Sequence, residues 1–335
     1  MTTSTPTTDG MIISILEADN AINAIEAKDG TYVNITLPTY AQVGDSVTVT
    51  LKASDGALTS FTKVLAAADL DGSQLAFPFS STVFAKDGQY NASAVFISNG
   101  AQVGDAASMT FEVDKTPPAK PATPTSYGDD VGSIQLDGSS ALITDDAKPS
   151  INVAKNLVDT PKLYVDGKLV AATYDPIKGT LTPDVEVTEG KHAFTYSLTD
   201  AAGNESFKSG ALNITIDTVA PVTPLTAPAN YTDNVGAIQN VSSTAATTDD
   251  NKPGIKVGAN LVDVPKLYVD GVEVTATYDA VAGTLTPVNP LTDGAHAFTY
   301  TLTDAAGQES GKSPALTITI DTVAPVTPLT APANY

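Results

Sequence analysis

The amino-acid sequence predicts an all-β protein built from three antiparallel β-sandwich domains arranged in tandem as a linear rod. Two observations carry this prediction: long segments recur at one fixed period, and short alternating strand patterns are separated by frequent Asp-Gly and Asn-Gly turn signals. The chain has 335 residues, enough for two or three domains that each bury a core.

The internal repeat sets the domain organisation. Three segments recur 104 residues later: Leu157–Gly167 returns as Leu261–Gly271, His192–Gly203 as His296–Gly307, and Asp217–Tyr231, unchanged, as Asp321–Tyr335. Proline-rich stretches follow Asp114 and Asp217, and proline favours extended, semi-rigid linkers. We therefore expect a divergent first domain at 1–113, repeat A at 114–216, repeat B at 217–320 and the start of a further repeat at 321–335.

Strand patterns occur throughout each predicted domain. In repeat A, Tyr164–Val170 has the pattern of a hairpin centred on Asp166-Gly167, and His192–Leu198 alternates as a strand with one buried face should. The first domain predicts strands over Tyr32–Leu37, Ser46–Lys52, Tyr90–Ile97 and Ala107–Val113. About seven short strands per hundred residues, with regular turns, are typical of an immunoglobulin-like sandwich. Helical periodicity has little support anywhere.

Composition excludes several classes of function. Lysine and arginine total 17, all of them lysine, against 38 acidic residues, which gives a net charge of -21. Nucleic acids and anionic membranes need clustered cations, so neither is an expected partner. The chain has no cysteine, so any bound metal must take oxygen ligands. No apolar run reaches the length of a membrane span, so direct membrane insertion is not expected.

Four segments of repeat B occur in an order found in a known family. They are Asp217–Pro221, Asp233–Gln239, Thr248–Asp250 and Thr303–Gln308. Together they resemble the bacterial Ig-like repeats of large type I-secreted adhesins, the biofilm-associated protein group in particular. In the first domain, Asp19–Glu26 and Val43–Val49 are similar to a second repeat type of the same proteins.

This resemblance implies a role at the bacterial cell surface. Tandem domains of such proteins, which are attached to the outer membrane, project an adhesive tip and contribute to cell adhesion and biofilm cohesion, with calcium at the domain junctions. The N-terminus has no secretory signal, and the Gly-Gly-x-Gly-x-Asp calcium repeats of such proteins do not occur in the sequence. These features lead us to expect an internal fragment of a longer extracellular protein.

Acidic residues fall where an Ig-like topology would bring them together at the domain ends. Three groups are expected to bind Ca²⁺: Asp19, Glu26, Asp29 and Asp114 opposite Asp200; Asp129, Asp130, Asp145, Asp146 and Asp217 opposite Asp304; and Asp233, Asp249, Asp250 and Asp321 opposite a further domain. Calcium accepts six to eight oxygen ligands in flexible geometry, which loop carboxylates and carbonyls can supply. The alternative is that these aspartates only form turns and keep the surface soluble.

No catalytic arrangement stands out, so the chain is not expected to be an enzyme. His192 and His296 are equivalent strand positions and are predicted to be packing residues. The predicted function is a structural spacer stiffened by calcium, whose partners are calcium and the neighbouring repeats. The alternative is a module that binds a surface glycan or copies of itself on other cells. A glycan site would lie in the first domain, where Phe77, Phe79, Phe84, Tyr90 and Phe96 have no copy elsewhere.

Overall fold

The computed structural model describes residues 2–3, 10–15, 21–72 and 74–325, and it confirms the all-β prediction. The chain forms two compact units: Met1–Pro124 with Val153–Leu181 and Phe194–Leu212, and Thr125–Asn152 with Thr182–Ala193 and Asn213–Tyr335. The domain boundaries near Asp114 and Asp217 stay predictions, and residues 326–335 of the predicted further repeat lie outside the described residues. None of the described helices has the length and apolarity that crossing a membrane requires.

The described residues of the first domain form nine strands in two antiparallel sheets. They are β1 (Thr2–Thr3), β2 (Ile12–Ile15), β3 (Thr31–Thr36), β4 (Ser46–Lys52), β5 (Leu58–Val64), β6 (Leu75–Phe79), β7 (Gly88–Ser98), β8 (Ala101–Gln102) and β9 (Ala107–Val113). One sheet has the order β1-β2-β3-β6, and the other has the order β5-β4-β7-β8 with β9 also paired to β7. The four strands that the sequence predicts here are confirmed as β3, β4, β7 and β9.

Alternation along each strand builds the core of this domain. In β4, Val47, Val49 and Leu51 are fully buried, whereas Thr48 and Thr50 point outward and bond to Thr62 and Ser60 on β5. Successive side chains of a strand face opposite sides, which is why one face is apolar and the other carries hydroxyls. Each buried aliphatic side chain contributes roughly 1.5–3 kcal/mol to the free energy of unfolding.

Among the described residues of this domain, one short α-helix interrupts the strands. It spans Ala24–Asp29 (α1), and two short 3₁₀ helices lie at Ala67–Leu70 and Ser81–Phe84. Asn23 caps α1 by accepting from the N–H groups of Ile25 and Glu26, and the Glu26 carboxylate accepts from the N–H of Asn23 in return. This reciprocal capping box stabilises a helix too short to be stable by itself, so sequence periodicity did not indicate it.

The two repeats have matching strands, ten in each. Repeat A has β10 (Tyr127–Asp129), β11 (Leu136–Ser139), β12 (Ile143–Thr144), β13 (Ser150–Asn152), β14 (Thr160–Val165), β15 (Lys168–Val170), β16 (Ala172–Asp175), β17 (Thr180–Pro183), β18 (Gly190–Thr199) and β19 (Leu212–Ile216). Repeat B has β20 (Tyr231–Asp233), β21 (Asn240–Ser243), β22 (Thr247–Thr248), β23 (Gly254–Lys256), β24 (Val264–Val269), β25 (Val272–Val274), β26 (Ala276–Asp279), β27 (Thr284–Pro287), β28 (Gly294–Thr303) and β29 (Leu316–Ile320).

Strand pairing in the repeats follows the predicted hairpins. Within the first unit, β14 pairs antiparallel with β15 and with β18. Within the second unit, repeat B forms two sheets of order β21-β20-β23-β27-β26 and β22-β29-β28-β24-β25 around a core that includes Tyr231, Ile255, Leu267 and Phe298. Asp166 and Gly167 both have positive φ, 51° and 79°, as a two-residue type I′ hairpin turn requires.

Candidate functional site

Repeats A and B meet through two short segments of the second unit. The loop that follows β10 contributes Ser133 and Ile134, and the turn that follows β28 contributes Asp304, Gly307 and Gln308. Ser133 Oγ donates to the carbonyl oxygen of Gly307 at 2.6 Å, and Gln308 Nε2 donates to the carbonyl oxygen of Asp217 at 2.7 Å. We call this contact the A–B junction.

Gly307 lets the two repeats approach closely. Its φ is +94°, a conformation that side chains rarely adopt, and an added Cβ would lie 2.8 Å from Cγ1 of Ile134. Glycine therefore serves both the turn and the contact. The loop of repeat A has a similar requirement, because a Cβ at Gly132 would lie 1.9 Å from Oδ2 of Asp145.

Two buried carboxylate oxygens at the A–B junction have no hydrogen-bond partner in the described part of the chain. They are Oδ1 of Asp145, in a residue that is 7% exposed, and Oδ2 of Asp304. The other oxygen of Asp304, Oδ1, accepts from the N–H of Gln308 at 2.9 Å. A buried charged oxygen without a partner is costly, so this pair is a natural place for a cation.

The surrounding charges make the junction strongly acidic. Burial raises the pKa of the Asp145 carboxyl, and repulsion from Asp129 and Asp304 adds to this rise. Burial also raises the pKa of Asp146 to about 6. The hydrogen bond from the N–H of Lys148 lowers this pKa, but repulsion from Asp130, Asp129 and Asp145 adds to the rise. None of these five carboxylates forms an ion pair with a described lysine.

The donor set at this junction suits calcium only in part. Nowhere in residues 2–3, 10–15, 21–72 and 74–325 do three acidic or histidine side chains lie close enough together to hold a metal ion. Asp145 and Asp304 would therefore supply two carboxylate oxygens, and main-chain oxygens and water would have to complete the shell. Calcium accepts such mixed oxygen ligands, so the two unpartnered oxygens fit it.

Most of the other acidic residues of this group already accept hydrogen bonds. Asp129 accepts from the hydroxyl of Thr144 at 2.7 Å and from the N–H of Val131, and Asp146 accepts from the N–H of Lys148. Asp217 takes part through its carbonyl oxygen, while its carboxylate accepts from Val219. Asp130 is exposed to solvent. Of the six residues predicted to meet here, Asp145 and Asp304 are thus the ones with a buried carboxylate oxygen that lacks a partner.

A different arrangement joins the first domain to repeat A, within the first unit. Asn204, which is 6% exposed, accepts from the N–H of Ala24 at 2.9 Å and donates to the carbonyl oxygen of Asp114 at 2.8 Å. Its amide also donates to Oδ2 of Asp200 at 3.0 Å, and its N–H donates to Oδ1. An uncharged amide therefore lies where the sequence predicted shared carboxylates, and both oxygens of Asp200 are satisfied.

The acidic residues predicted for this first junction are dispersed. Glu26 belongs to the capping box of α1, and Asp114 Oδ1 accepts from the N–H of Thr116. Asp29 lies at the end of α1, beside a groove of the first domain. Asp19 lies outside the described residues. Calcium binding by these residues stays a prediction.

The end of repeat B repeats the local structure of repeat A. Asp233 accepts from the hydroxyl of Thr248 at 2.8 Å, Asp250 accepts from the N–H of Lys252 at 2.8 Å, and Asp321 accepts from Val323. Asp249 lies against Gly236, as Asp145 lies against Gly132. Asp249 is exposed, whereas Asp145 is buried. Ile238 is 82% exposed, and its counterpart Ile134 at the A–B junction is 49% exposed.

Sequence reasoning missed the uncharged junction residues. Asn204, Gln308 and Ser133 had no assigned role, although position 204 and its copy 308 carry different amides after an identical Asp-Ala-Ala-Gly segment. That difference was the available signal. Its meaning depends on contacts to a neighbouring domain, which the repeat pattern does not reveal.

The aromatic residues predicted for a glycan site are core residues. Phe77, Phe79, Phe84, Tyr90 and Phe96 are all buried, because they occupy inward strand and 3₁₀-helix positions. This assignment was wrong. The exposed aromatic rings of the first domain include Tyr32 and Phe61, which line a groove of about 370 Å³ together with Asp29, Thr59, Pro78 and Thr82.

The histidine of repeat B does more than pack. His296 lies 2.8 Å from Oδ2 of Asp270 through Nδ1 and 2.8 Å from the carbonyl oxygen of Thr292 through Nε2. The hydrogen bond to Asp270 raises the pKa of His296. Nδ1 thus holds the hairpin turn of Asp270, whereas Nε2 bonds to the segment that precedes β28.

Comparison with known proteins agrees with the fold. Residues 118–218 and 226–322, more than half of the chain, match the family described as bacterial Ig-like domain. Two similar solved structures are the fibronectin(III)-like modules of Clostridium thermocellum CbhA and the FN1–FN3 domains of chicken CNTN1. The first has 15% identity and a TM-score of 0.35 and covers 61% of this chain and 94% of that one. The second has 13% identity and a TM-score of 0.31 and covers 87% of this chain and 95% of that one.

No curated protein is significantly similar to the chain in sequence. The family match carries the classification, and it agrees with the antiparallel sheets and with the two matching sets of strands. Such Ig-like tandem domains are typical of structural modules. The chain therefore belongs to the bacterial Ig-like domain family.

Proposed function

We propose that this chain is a spacer segment of a bacterial cell-surface adhesin that supports cell adhesion and biofilm formation, and that calcium stiffens its domain junctions. The observation that carries the proposal is the A–B junction. There, side-chain contacts join consecutive repeats while Asp145 and Asp304 leave two carboxylate oxygens without partners. A spacer needs this kind of contact at every junction, because its function is to hold domains at a fixed angle.

The charge balance supports a cation at the A–B junction. Five carboxylates, those of Asp129, Asp130, Asp145, Asp146 and Asp304, influence one another there. Without a cation, their mutual repulsion opposes the contacts made by Ser133 and Gln308, so the junction opens more easily. When bound, calcium neutralises this charge, with Asp145 and Asp304 as the side chains that would hold it.

The affinity is expected to be modest. Extracellular calcium modules bind with dissociation constants of roughly 10⁻⁴ to 10⁻³ M. About 100-fold excess of calcium over such a constant stabilises the bound form by about 2.7 kcal/mol. Such an effect is large enough to detect in a thermal melt of the whole chain.

The test compares the chain in calcium and in chelator, by small-angle scattering and by thermal melting. We expect calcium to lengthen the particle and raise its melting temperature. Asp145→Asn and Asp304→Asn should each remove most of this response. Asp249→Asn is the matched control, because this residue is the exposed copy of Asp145. An unchanged particle and melt in calcium would sink the proposal and leave the aspartates as turn and surface residues.

A second candidate function is glycan binding by the first domain, and the exposed rings of Tyr32 and Phe61 favour it. Tyr32 is 56% exposed and Phe61 43% exposed, and both line the groove beside Asp29. Aromatic rings and hydroxyl or carboxylate groups are typical of saccharide sites. Titration with neutral trisaccharides of glucose and N-acetylglucosamine tests this function. Binding should be lost in Tyr32→Ala and Phe61→Ala and kept in Tyr40→Ala, an exposed ring outside the groove.

A further inference from the structure

We propose that the amide residue after the Ala-Ala-Gly turn sets the calcium dependence of each junction. Asn204 makes the junction between the first domain and repeat A independent of cations, whereas Gln308 leaves the A–B junction dependent on one. This inference rests on the proposed function, because it names the residues that decide which of the two junctions responds to calcium.

The first step concerns Asn204. Its side chain completes three hydrogen bonds at once: to the N–H of Ala24, to the carbonyl oxygen of Asp114 and to Oδ2 of Asp200. Asn204 thereby forms hydrogen bonds across the junction and also supplies the hydrogen-bond donor that the Asp200 carboxylate needs. The side chain is almost fully buried, so these bonds are protected from competition by water. Each carboxylate oxygen of Asp200 accepts one of these amide hydrogen bonds or that of the Asn204 main chain, so neither is left without a partner.

The second step concerns Gln308, at the equivalent position of repeat B. Its side chain is one methylene longer, and its Nε2 donates to the carbonyl oxygen of Asp217 at 2.7 Å, as Asn204 donates to that of Asp114. The bond to the neighbouring carboxylate is lost, because Oδ2 of Asp304 has no partner among the described residues. Asn204 thus donates both to a main-chain carbonyl across the junction and to the neighbouring carboxylate, whereas the longer Gln308 donates only to the carbonyl.

The third step is the presence of a second acid on the opposite side. Asp145 lies across the A–B junction, is 7% exposed and has no hydrogen-bond partner for Oδ1. Its negative charge repels that of Asp304. At the first junction, the group that meets the Asn204 side chain from the first domain is instead the N–H of Ala24, a hydrogen-bond donor. Two buried carboxylate oxygens without partners therefore belong to the junction where the amide is glutamine.

Introduced spin labels can test the two junctions separately in the full chain, because the chain contains no cysteine. Labels at Val185→Cys and Val262→Cys, which are 71% and 98% exposed and both lie in the second unit, report on the A–B junction. Labels at Leu58→Cys, another exposed position, and Val158→Cys report on the first junction. We expect calcium to narrow the distance distribution of the first pair of labels and to leave the second pair unchanged.

The decisive variant is Gln308→Asn. We expect its A–B distance distribution to be narrow in chelator and its apparent calcium affinity, measured by competition with a chelating dye, to fall at least tenfold. Asp145→Asn is a second variant with the same expectation, because its amide can donate to Asp304. Circular dichroism confirms that each variant folds.

The outcomes separate this inference from the function on which it rests. A calcium response at both junctions, or a response retained in Gln308→Asn, would overturn the inference while the calcium-stiffened spacer stands. If neither junction responds to calcium in the unmodified chain, the calcium part of the proposed function fails, and the inference fails with it. A response confined to the A–B junction and lost in both variants supports both.

Discussion

Lys266 donates to Glu309 at 2.8 Å, and the copy of this ion pair in repeat A, Lys162 with Glu205, has a distance of 3.0 Å. Glu309 also accepts from the hydroxyls of Tyr268 and Thr301. These bonds tie β24, β28 and the turn after β28 together. The same side of each repeat thus carries one glutamate with three donors.

These donors keep the two glutamates ionised. We therefore expect the free energy of unfolding to fall in acid. Hydrogen bonds from Ser197, Tyr164 and Lys162 lower the pKa of Glu205 to about 2. Burial alone would raise the pKa of Glu309, but bonds from Lys266, Thr301 and Tyr268 outweigh it and lower this pKa to about 2 as well. A lowered carboxyl pKa gives stability that is present above the unfolded value, near 4.5, and is lost as the pH falls towards 2.

Glu309→Gln should therefore lower the free energy of unfolding at pH 7 by roughly 1–3 kcal/mol and reduce its loss between pH 5 and pH 2. Urea denaturation across this pH range measures both effects. Glu186→Gln, at an exposed glutamate, is the control and should change stability by no more than about 0.5 kcal/mol. An equal loss for Glu309→Gln at pH 2 and at pH 7 would show that the ionised form contributes nothing.

The buried acids of the A–B junction predict the opposite pH dependence when calcium is absent. Burial raises the pKa of Asp146 from 3.8 to about 6. A raised carboxyl pKa means that the folded state binds the proton more tightly. The associated stability is fully present below about pH 3.8 and is lost as the pH rises through about 6.

In chelator, Asp146→Asn should be more stable than the unmodified chain at pH 7.5, by on the order of 1–3 kcal/mol, and should lose part of the stabilisation seen at pH 5. Thermal melts at the two pH values measure this. His296 changes stability in the same direction, but it is present in both proteins and cancels in the comparison. Asp250→Asn controls for the hydrogen bond, because Asp250 accepts from Lys252 as Asp146 accepts from Lys148. A variant less stable than the unmodified chain at both pH values would contradict the prediction.

Much of the fold could be predicted because its signals are local. The alternation of apolar and polar residues in β4 and the Asp166-Gly167 turn each depend on only a few neighbouring residues. In the repeats, such signals also occur twice, 104 residues apart. Helix α1 was missed because six residues carry no periodicity, although the capping pair of Asn23 and Glu26 is visible in the sequence.

The candidate site could be predicted only in outline. Strand topology placed Asp145 and Asp304 at one end of adjacent repeats, and the structure does bring their charges together. The role of Asn204 could not be predicted, because it depends on the reach of one amide across a junction. Phe79 is buried because it lies on the inward face of β6, whereas Phe61 lies on the edge strand β5 and is exposed. Amino-acid composition does not show this difference.

Gly307 is predicted to be more sensitive than its copy Gly203. Both have a φ of +94°, so alanine at either position carries the same backbone strain, about 1–2 kcal/mol. A Cβ at 307 would meet Ile134 at 2.8 Å, whereas a Cβ at 203 would lie 3.4 Å from Nδ2 of Asn23, an ordinary contact. Gly307→Ala should therefore cost about 1–3 kcal/mol more than Gly203→Ala in denaturant titrations. Equal costs would show that the A–B junction is not packed closely at this point.

Ile134 and Ile238 provide the last comparison, because they are copies of one residue in two environments. Ile134 packs against Gly307, and its exposed fraction is 49%, whereas Ile238 is 82% exposed. Since apolar burial contributes in proportion to area, Ile134→Ala should destabilise the chain by about 1 kcal/mol and Ile238→Ala by less than about 0.5 kcal/mol. Calcium should enlarge the difference, because a cation that closes the A–B junction presses Ile134 onto Gly307 and leaves Ile238 untouched. Melting both variants with calcium and with chelator measures this coupling, and an identical response of the two variants to calcium would count against a closed junction.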